Sequence, residues 1–388
     1  MSKPCFVFAV CGSDEHLDTL AFSLEKLKKV TRSDIWVVTD SSRNTKPIVH
    51  SQVLDISTPS HFNNHQASIY LKTGLHRFLP PGRRYCYLDS DVIAISEDCD
   101  LIFNEFIPPI RFAPDHCRMR LFSPSAVQCN CQKEADELNR AINLELDRQD
   151  PYRNSASAEV KELRKELESE YWQMKKNPVQ LVWTGIRYLS SFSTFRLKPH
   201  LIYYRTEKTW KNKEGLAFMR TANLKTICEA LGLKWSWLKP YPRTKDGRSV
   251  WRVECDHLAL QIQQKFGIAV KEKDFQHWNG GVFLFDDSSY DFLETWHQLT
   301  MEIFKDPAWK TRDQGTLIAT VWKFHLQNHP TLDKKWNLLA DYNNPDVKWL
   351  EGWYVQVSKK EKLQPVFAHI YHHFFDKSWL LWQKIEEL

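Results

Sequence analysis

The chain has 388 residues, of which 42% are hydrophobic and 26% are charged, and its formal net charge is +5. These proportions are ordinary for a globular enzyme with a substantial core. The charge is too small to indicate a nucleic-acid partner by itself, and none is expected, although it suits a polyanionic ligand or an anionic membrane surface. No run of 18 apolar residues occurs, which argues against a membrane-spanning helix.

The nine cysteines are odd in number and irregularly spaced. In a chain too long to need disulfide staples, this pattern favours reduced thiols and a cytoplasmic location. The short apolar run after Lys3 is too brief for a secretory signal, so none is expected. His116-Cys117, Cys129 and Cys131 match no common zinc module, and we expect ordinary reduced thiols at these positions.

The first ninety residues alternate between strand-like and helix-like segments. Residues 5–10 and 35–39 are continuous apolar runs of strand length, and a stripe with helical spacing begins at Leu17. A second helix is predicted over residues 66–78, and an apolar strand follows at 85–88. Strands and helices that alternate with short connections predict an α/β fold, in which helices cover both faces of a mainly parallel sheet.

Two carboxylates, Asp89 and Asp91, come directly after the apolar run 85–88. In extended backbone residues i and i+2 face the same way, so both carboxylates can reach one point. They repel each other unless a cation lies between them, and hard oxygen ligands select Mn²⁺ or Mg²⁺. The carboxyl end of a central parallel strand is also where such sheets bind ligands. We therefore predict a metal site here; a solvated loop is the weaker alternative, because apolar residues 92–95 follow.

The segment Tyr87-Leu88-Asp89-Ser90-Asp91-Val92-Ile93 resembles a signature of the glycogenin-like and lipopolysaccharide-galactosyltransferase-like (family 8-type) retaining glycosyltransferases. That family has the GT-A fold. Further matches follow in the family's order, at Ser68–Lys72, Asn279–Val282, Asp313-Gln314 and Lys335–Asn337. The resemblance covers residues 1–100 and 275–380, whereas residues 115–260 match nothing in the family.

The resemblance implies a metal-dependent transfer of a sugar from a UDP-sugar, with retention of anomeric configuration and with Mn²⁺ or Mg²⁺ as cofactor. It implies donor or nucleotide contacts from Ala9, Val10, Cys11, Lys72, Asp89, Ser90 and Lys377. It implies catalytic roles for Asp313, Gln314 and Asn279, and sugar or acceptor contacts from Gly280, Gly281 and Trp336. The acceptor stays open among carbohydrate, glycolipid and protein. For residues 279–282 a structural alternative is that the glycines permit a tight turn with positive φ.

The family also supplies a histidine as a metal ligand beside Asp89 and Asp91. The closing segment of this chain departs from the family's pattern, because it lacks the glycine and has Ser378 in place of proline. His369 is the favoured ligand, since the apolar run before it predicts a strand end, and His372 is the second candidate.

The predicted organisation is one GT-A domain with a large insertion. Residues 1–114 form the nucleotide-sugar-binding half, 115–270 the insertion, and 271–388 the acceptor and catalytic half. Within the insertion, residues 177–205 are aromatic and basic. They suit acceptor binding or peripheral membrane contact, but ordinary packing on the main sheet is the favoured interpretation. Nothing in the sequence indicates an oligomeric state.

Two other functions remain as alternatives. A metal-dependent nucleotidyltransferase also uses paired carboxylates, but residues 11–15 are too acidic and too poor in glycine for its phosphate loop. The second alternative is a degenerate transferase-like domain that only binds a partner. The intact Asp89-Ser90-Asp91 triplet argues against it, while the altered closing motif leaves it open.

Overall fold

The structure is a computed structural model that describes residues 3–236, 241–310, 313–344, 347–350, 354–358 and 361–388. The chain divides into two compact units. Unit 1 contains Met1–Cys129 and Cys255–Leu388, and unit 2 contains Asn130–Glu254. Unit 2 therefore begins later and ends earlier than the insertion predicted over residues 115–270.

The strands, in chain order, are β1 (Cys5–Ala9), β2 (Asp34–Thr39), β3 (Val53–Asp55), β4 (Tyr85–Leu88), β5 (Val92–Ala94), β6 (Arg111–Pro114), β7 (Thr194–Lys198), β8 (Leu201–Tyr204), β9 (Thr209–Lys211), β10 (Ala217–Arg220), β11 (Trp278–Phe285), β12 (Leu338–Leu339), β13 (Lys348–Leu350), β14 (Tyr354–Ser358), β15 (Glu361–Leu363) and β16 (Phe367–His369). The α-helices are α1 (Asp14–Val30), α2 (Asn64–Thr73), α3 (Leu75–Phe78), α4 (Met119–Ala126), α5 (Cys131–Gln149), α6 (Ala158–Lys176), α7 (Pro178–Ser190), α8 (Leu224–Ala230), α9 (His257–Phe266), α10 (Tyr290–Ile303), α11 (Gln314–Lys323) and α12 (Leu380–Glu387). Short 3-10 helices cover Ser41–Arg43, Glu97–Glu105, Asp287–Ser289 and Lys334–Trp336.

Unit 1 is built on a six-stranded sheet in the order β3-β2-β1-β4-β11-β6. The strands β3, β2, β1 and β4 pair in parallel, whereas β11 is antiparallel to both β4 and β6. A smaller sheet, β12-β16-β5, pairs the strand that follows Asp91 with the strand that ends at His369. The predicted α/β fold is confirmed, and both candidate metal-binding segments come from neighbouring strands.

Helices cover both faces of the main sheet. Neighbouring residues of β1 point to opposite faces, as the two-residue period of a strand requires. Val7 packs in a core cluster with Leu71 of α2 and Leu317 of α11. Phe8 packs in a second cluster with Leu24 of α1. Because β1 is buried on both sides, its sequence is a continuous apolar run rather than an alternating one.

The helix predicted over residues 66–78 is two helices, α2 and α3, that meet at Gly74. A capping box starts α2: the side chain of Asn63 accepts from the Gln66 N–H, and the Gln66 side chain accepts from the Asn63 N–H. A Cβ at Gly74 would lie 2.9 Å from the Tyr70 carbonyl oxygen and from the Phe78 ring. The break therefore falls where only glycine fits.

Unit 2 has its own core. The antiparallel sheet in the order β10-β9-β8-β7 packs against α6, which buries Val160 and Leu167 together with Leu201 and Phe218 of the strands. By contrast, α7 has no buried residue. Among the residues that the structure describes, no helix combines the length and the apolar character needed to cross a bilayer.

The buried His297 of α10 makes the stability of unit 1 depend on pH. Its Nδ1 lies 2.8 Å from the Thr73 hydroxyl, and burial, with the charge of Arg77, lowers the pKa of His297 from 6.5 to about 4. A depressed pKa stabilises the fold fully above pH 6.5, and this contribution is lost as the pH falls towards 4. The linked change is at most about 3 kcal/mol. We expect His297→Asn to make the free energy of unfolding, measured with denaturant, less dependent on pH between 4 and 6.5. The control His372→Asn, at an exposed histidine, should leave that dependence as in the unaltered chain. An equal pH dependence in His297→Asn and in the unaltered chain would contradict the role of His297.

Candidate active site

The carboxyl end of β4 and the end of β16 bring three metal-ligand side chains together. One ligand atom from each of Asp89, Asp91 and His369 lies within 4.8 Å of the others. The register of the small sheet explains this meeting, because Val92 of β5 pairs with His369 of β16 and the Ile370 N–H donates to the Asp91 carbonyl at 2.9 Å. His369 Nε2 lies 3.3 Å from Asp91 Oδ1. The expected site is therefore assembled by strand pairing.

A chain of amide hydrogen bonds fixes which nitrogen of His369 faces the carboxylates. The Gly281 N–H donates to Asn279 Oδ1 at 2.9 Å, which identifies that atom as the oxygen. Asn337 Nδ2 therefore donates to Asn279 Oδ1 at 3.0 Å, and Asn337 Oδ1 lies 3.1 Å from His369 Nδ1. In the neutral imidazole the proton therefore belongs on Nδ1, and Nε2 is the nitrogen that faces Asp91. Burial alone would lower the pKa of His369, but the charge of Asp91 outweighs it and raises the pKa, so a metal ion would replace a proton on Nε2.

The role of Asn337 can be tested by Asn337→Leu, which keeps the side-chain shape and removes the acceptor for His369. We expect Mn²⁺ affinity, measured by calorimetry, to fall by about 10- to 100-fold, as for other groups that orient metal-binding histidines. The exposed Asn343 is a matched control, and Asn343→Leu should leave the affinity unchanged. Unchanged affinity in Asn337→Leu would contradict the assigned role.

Lys72 lies between two carboxylates at the centre of the site. Its Nζ is 3.1 Å from Asp89 Oδ1 and 3.0 Å from Asp313 Oδ2, and the Tyr87 hydroxyl donates to Asp89 Oδ1 at 2.6 Å. Burial alone would lower the pKa of Lys72, but the charges of Asp313 and Asp89 outweigh it and hold the pKa above its ordinary value. Lys72 is therefore a permanent positive charge that forms an ion pair with Asp89, one of the candidate metal ligands.

The cluster carries more negative than positive charge. Asp89, Asp91 and Asp313 are carboxylates, and Lys72 is a cation that contacts two of them. Two carboxylate ligands and one imidazole nitrogen form a donor set that suits Mn²⁺, while the hard oxygens also suit Mg²⁺. The residues present therefore fit the divalent metal that the sequence predicts.

Gly280 and Gly281 lie inside β11, so the structural alternative of a tight turn with positive φ over residues 279–282 is wrong. Neither has a positive φ. The requirement for glycine is instead one of space, because a Cβ on Gly281 would lie 2.4 Å from His369 Cε1. A Cβ on Gly280 would lie 3.2 Å from Lys72 Nζ. Bare backbone at these positions allows the histidine and the lysine to approach the strand.

Asp313 and Gln314 are neighbours in the sequence but contact different parts of the site. Asp313 precedes α11, and its Oδ2 lies 3.0 Å from Lys72 Nζ. The sequence also allows a salt bridge from Asp313 to its neighbour Arg312, which lies outside the described residues. Gln314 uses both ends of its amide on the neighbouring strand: Oε1 accepts from the Gly280 N–H at 3.2 Å, and Nε2 donates to the Trp278 carbonyl. Gln314 therefore positions β11, and Asp313 is the residue of the pair that joins the charged cluster.

Three predicted site residues lie elsewhere. His372 is exposed and contacts the Tyr371 ring, and it lies outside the cluster of Asp89, Asp91 and His369. The side chain of Lys377 is 78% exposed and its Nζ is 3.6 Å from Glu386 Oε1, so the structure does not bring it to the metal ligands. Trp336 is buried in the core beside Phe367, where it cannot form a sugar platform. His372 and Lys377 lie in irregular backbone, and Trp336 is placed by core packing. The position of a residue along a strand therefore does not predict where these three side chains lie.

The nucleotide-binding residues expected near the first strand lie at the carboxyl end of β1, which pairs with β4. Ala9, Val10 and Cys11 are buried, and the Cys11 N–H donates to Ser68 Oγ of α2 at 3.2 Å. Ser90, between the two metal-ligand aspartates, is partly buried and accepts from the Ser23 hydroxyl at 2.7 Å through its carbonyl. The backbone at this sheet edge is thus anchored by hydrogen bonds from α1 and to α2.

Two residues at the site, Asp115 and Asn337, have no role expected from the sequence. Asp115 follows β6, and its Oδ2 accepts from Asn279 Nδ2 at 2.9 Å. Burial would raise the pKa of Asp115, but the hydrogen bond from His116 and the charge of His277 hold it below its ordinary value. Asp115 follows a strand, as Asp89 does, but its contact with Asn279 depends on the pairing of β6 with β11.

No protein-family model matches the chain, and no curated protein does. Among solved structures, the chain is similar to the galactosyltransferase LgtC in complex with donor and acceptor sugar analogs. The two sequences are 10% identical, the match covers 99% of this chain and 94% of that chain, and the TM-score is 0.42. The bifunctional glycosyltransferase WbbM shows 10% identity over 87% of this chain but 40% of its own length, with a TM-score of 0.37. Mouse xyloside xylosyltransferase 1 shows 12% identity over 88% and 89% of the two chains, with a TM-score of 0.34. These three structures are those of glycosyltransferases.

Proposed function

We propose that this chain is a metal-dependent glycosyltransferase that moves a sugar from a UDP-sugar to a carbohydrate, glycolipid or protein acceptor, with retention of configuration. The observation that carries the proposal is the cluster of Asp89, Asp91 and His369 at the carboxyl edge of a mainly parallel sheet. The orientation of His369 adds to it, because Asn337 holds Nδ1 and turns Nε2 towards the two carboxylates. Retention rests on the resemblance of the sequence motifs alone.

The metal ion, held by Asp89, Asp91 and His369, would supply positive charge to the diphosphate that leaves during transfer. Lys72 lies beside these ligands and offers a second positive charge to the same phosphates. The Asp313 carboxylate, fixed by Lys72, suits the positive charge that develops at the anomeric carbon. Gly280 and Gly281 leave the strand bare where the sugar and acceptor would approach. These residues stabilise charge and position the reactants.

The test is the release of UDP from a panel of UDP-sugars, measured with Mn²⁺, with Mg²⁺ and with a chelator. We expect release with at least one donor in Mn²⁺ and none with the chelator. Absence of release, together with the absence of metal-dependent UDP binding, would contradict the proposal. Release of diphosphate from a nucleoside triphosphate instead of UDP would identify a nucleotidyltransferase.

We also propose that unit 2 binds the surface of an anionic membrane through α7. The helix exposes its apolar side chains: Val182, Trp183 and Ile186 are 62%, 63% and 52% exposed. Residues 171–205 contain six lysines and arginines and no acid. An exposed apolar helix among cationic residues is the composition of a helix that lies in the membrane interface. The exposure of α7 favours membrane contact over ordinary packing for residues 177–205. We therefore expect a cytoplasmic protein that also contacts a membrane surface.

Vesicle sedimentation tests this surface. We expect the chain to sediment with phosphatidylglycerol-containing vesicles and to stay in solution with phosphatidylcholine alone. The triple variant Val182→Ser, Trp183→Ser, Ile186→Ser should bind at least about tenfold more weakly. Leu144→Ser, at an exposed leucine of α5, is the matched control and should bind as before. An unaltered chain that stays in solution with anionic vesicles, or that self-associates through α7 instead, would contradict the proposal.

A further inference from the structure

Three metal-ligand side chains meet in unit 1 at the two points where the chain leaves and re-enters it. Cys129 is the last residue before unit 2, and Cys255 is the first residue after it. His257 follows as the first residue of α9. One ligand atom from each of Cys129, Cys255 and His257 lies within 4.8 Å of the others. This cluster shares no residue with the candidate active site.

The distances suit a shared metal ion better than a disulfide. Cys129 Sγ and Cys255 Sγ are 4.0 Å apart. A disulfide requires about 2.05 Å between its sulfurs. Two thiolates bound to one tetrahedral zinc ion at about 2.3 Å each are about 3.8 Å apart. The observed separation is therefore close to that of two sulfurs bound to one tetrahedral zinc ion.

The surrounding structure holds Cys255 and α9 in place. The Ser123 hydroxyl oxygen of α4 lies 3.1 Å from Cys255 Sγ and accepts from the Leu258 N–H at 2.9 Å. The Cys255 N–H donates to the Arg120 carbonyl at 3.1 Å. Two separate hydrogen bonds thus fix the segment that carries Cys255 and His257 against α4. The orientation of the two ligands is set by unit 1 itself.

We propose that Cys129, Cys255 and His257 bind a structural zinc ion. Soft thiolate ligands with an imidazole select zinc over the manganese or magnesium expected at the aspartate site. Binding would release the two thiol protons, because the thiolate is the ligand. A tetrahedral zinc ion takes four ligands, so these three residues leave one coordination position open.

This zinc ion would join residues that are 126 positions apart in the sequence (255 − 129). A cross-link that closes a long loop removes much of the freedom of the unfolded chain, so it stabilises the folded state. It would also hold together the two ends of the segment that forms unit 2. The inference does not depend on the proposed transferase activity, because a different set of residues carries it.

The direct test is the metal content of the full chain, purified without metal-affinity resins and measured by mass spectrometry. We expect one zinc ion per chain. Replacement by Co²⁺ should give thiolate-to-cobalt charge-transfer bands, which the aspartate site has no thiolate to produce. Chain without zinc, and without these bands after Co²⁺ addition, would overturn the proposal.

The zinc content of variants tests whether Cys129, Cys255 and His257 are the residues that bind the ion. Cys255→Ser and His257→Ala should each lower the zinc content at least fivefold and lower the melting temperature. Asp91→Asn, at the other site, and Cys228→Ser, at a buried thiol of α8 outside the cluster, should keep one zinc ion. Full zinc content in Cys255→Ser, or loss of zinc in Asp91→Asn, would overturn the assignment. Because the unaltered chain is measured directly, a variant that fails to fold leaves the test intact.

Discussion

Asp91→Asn is expected to weaken UDP binding in Mn²⁺ by at least about a hundredfold and to lower the turnover of a UDP-sugar about a thousandfold. Asparagine keeps the size of the side chain but removes the charge that faces His369 Nε2 at 3.3 Å. The backbone contact from Ile370 to the Asp91 carbonyl stays, so the small sheet should form as before. Calorimetric titration with UDP, with and without Mn²⁺, measures the effect.

The matched control for this variant is Asp98→Asn, which removes one negative charge from an exposed position further along the same segment. It should leave both UDP affinity and turnover unchanged. The metal-free stability of Asp91→Asn should differ from that of the unaltered chain by less than about 1 kcal/mol, because one like-charge repulsion is also removed. UDP affinity that is equal in Asp91→Asn and in the unaltered chain would contradict the metal-ligand role.

Gly281→Ala is expected to have the second-largest effect, although it adds a single methyl group. The new Cβ would lie 2.4 Å from His369 Cε1, so the ring must move away from Asp91 and Asn337. We expect Mn²⁺ affinity to fall about 10- to 100-fold and the free energy of unfolding to fall by about 1–3 kcal/mol. Metal titration and urea unfolding measure the two effects separately.

Gly280→Ala is the control on the same strand. Its Cβ would meet the end of the Lys72 side chain at 3.2 Å, which requires a shift of a few tenths of an ångström rather than the displacement of a ring. We expect a smaller loss of Mn²⁺ affinity than in Gly281→Ala. Equal effects of the two substitutions, or no effect of Gly281→Ala, would show that the His369 ring is not held where the structure places it.

The parts of the site that local geometry determines could be predicted from the sequence. Asp89 and Asp91 follow a strand at a spacing of two residues, and the structure places a ligand atom from each within 4.8 Å of the other. His369 was favoured because an apolar run precedes it, and it ends β16. In each case the two-residue period of a strand and the position of its carboxyl end carry the information.

The rest depends on contacts between distant segments. Asp115 reaches Asn279 only because β6 pairs with β11, and nothing in either segment specifies that register. In the pair Trp336-Asn337 the resemblance indicated the tryptophan, but the core buries Trp336 and Asn337 contacts His369. The spacing of Cys129 matches no zinc module, and only the fold brings Cys255 and His257 close to it. Tertiary packing determines where these side chains lie, and local patterns in a single sequence do not predict such packing.

The most direct test of the central claim is the anomalous diffraction of a crystal of the full chain grown with UDP and Mn²⁺. We expect a manganese peak within coordination distance of carboxylate oxygens from Asp89 and Asp91 and of His369 Nε2, with the UDP diphosphate on its open side. Bound UDP without a manganese peak at these three residues, or a peak that contacts none of them, would contradict the proposed metal site.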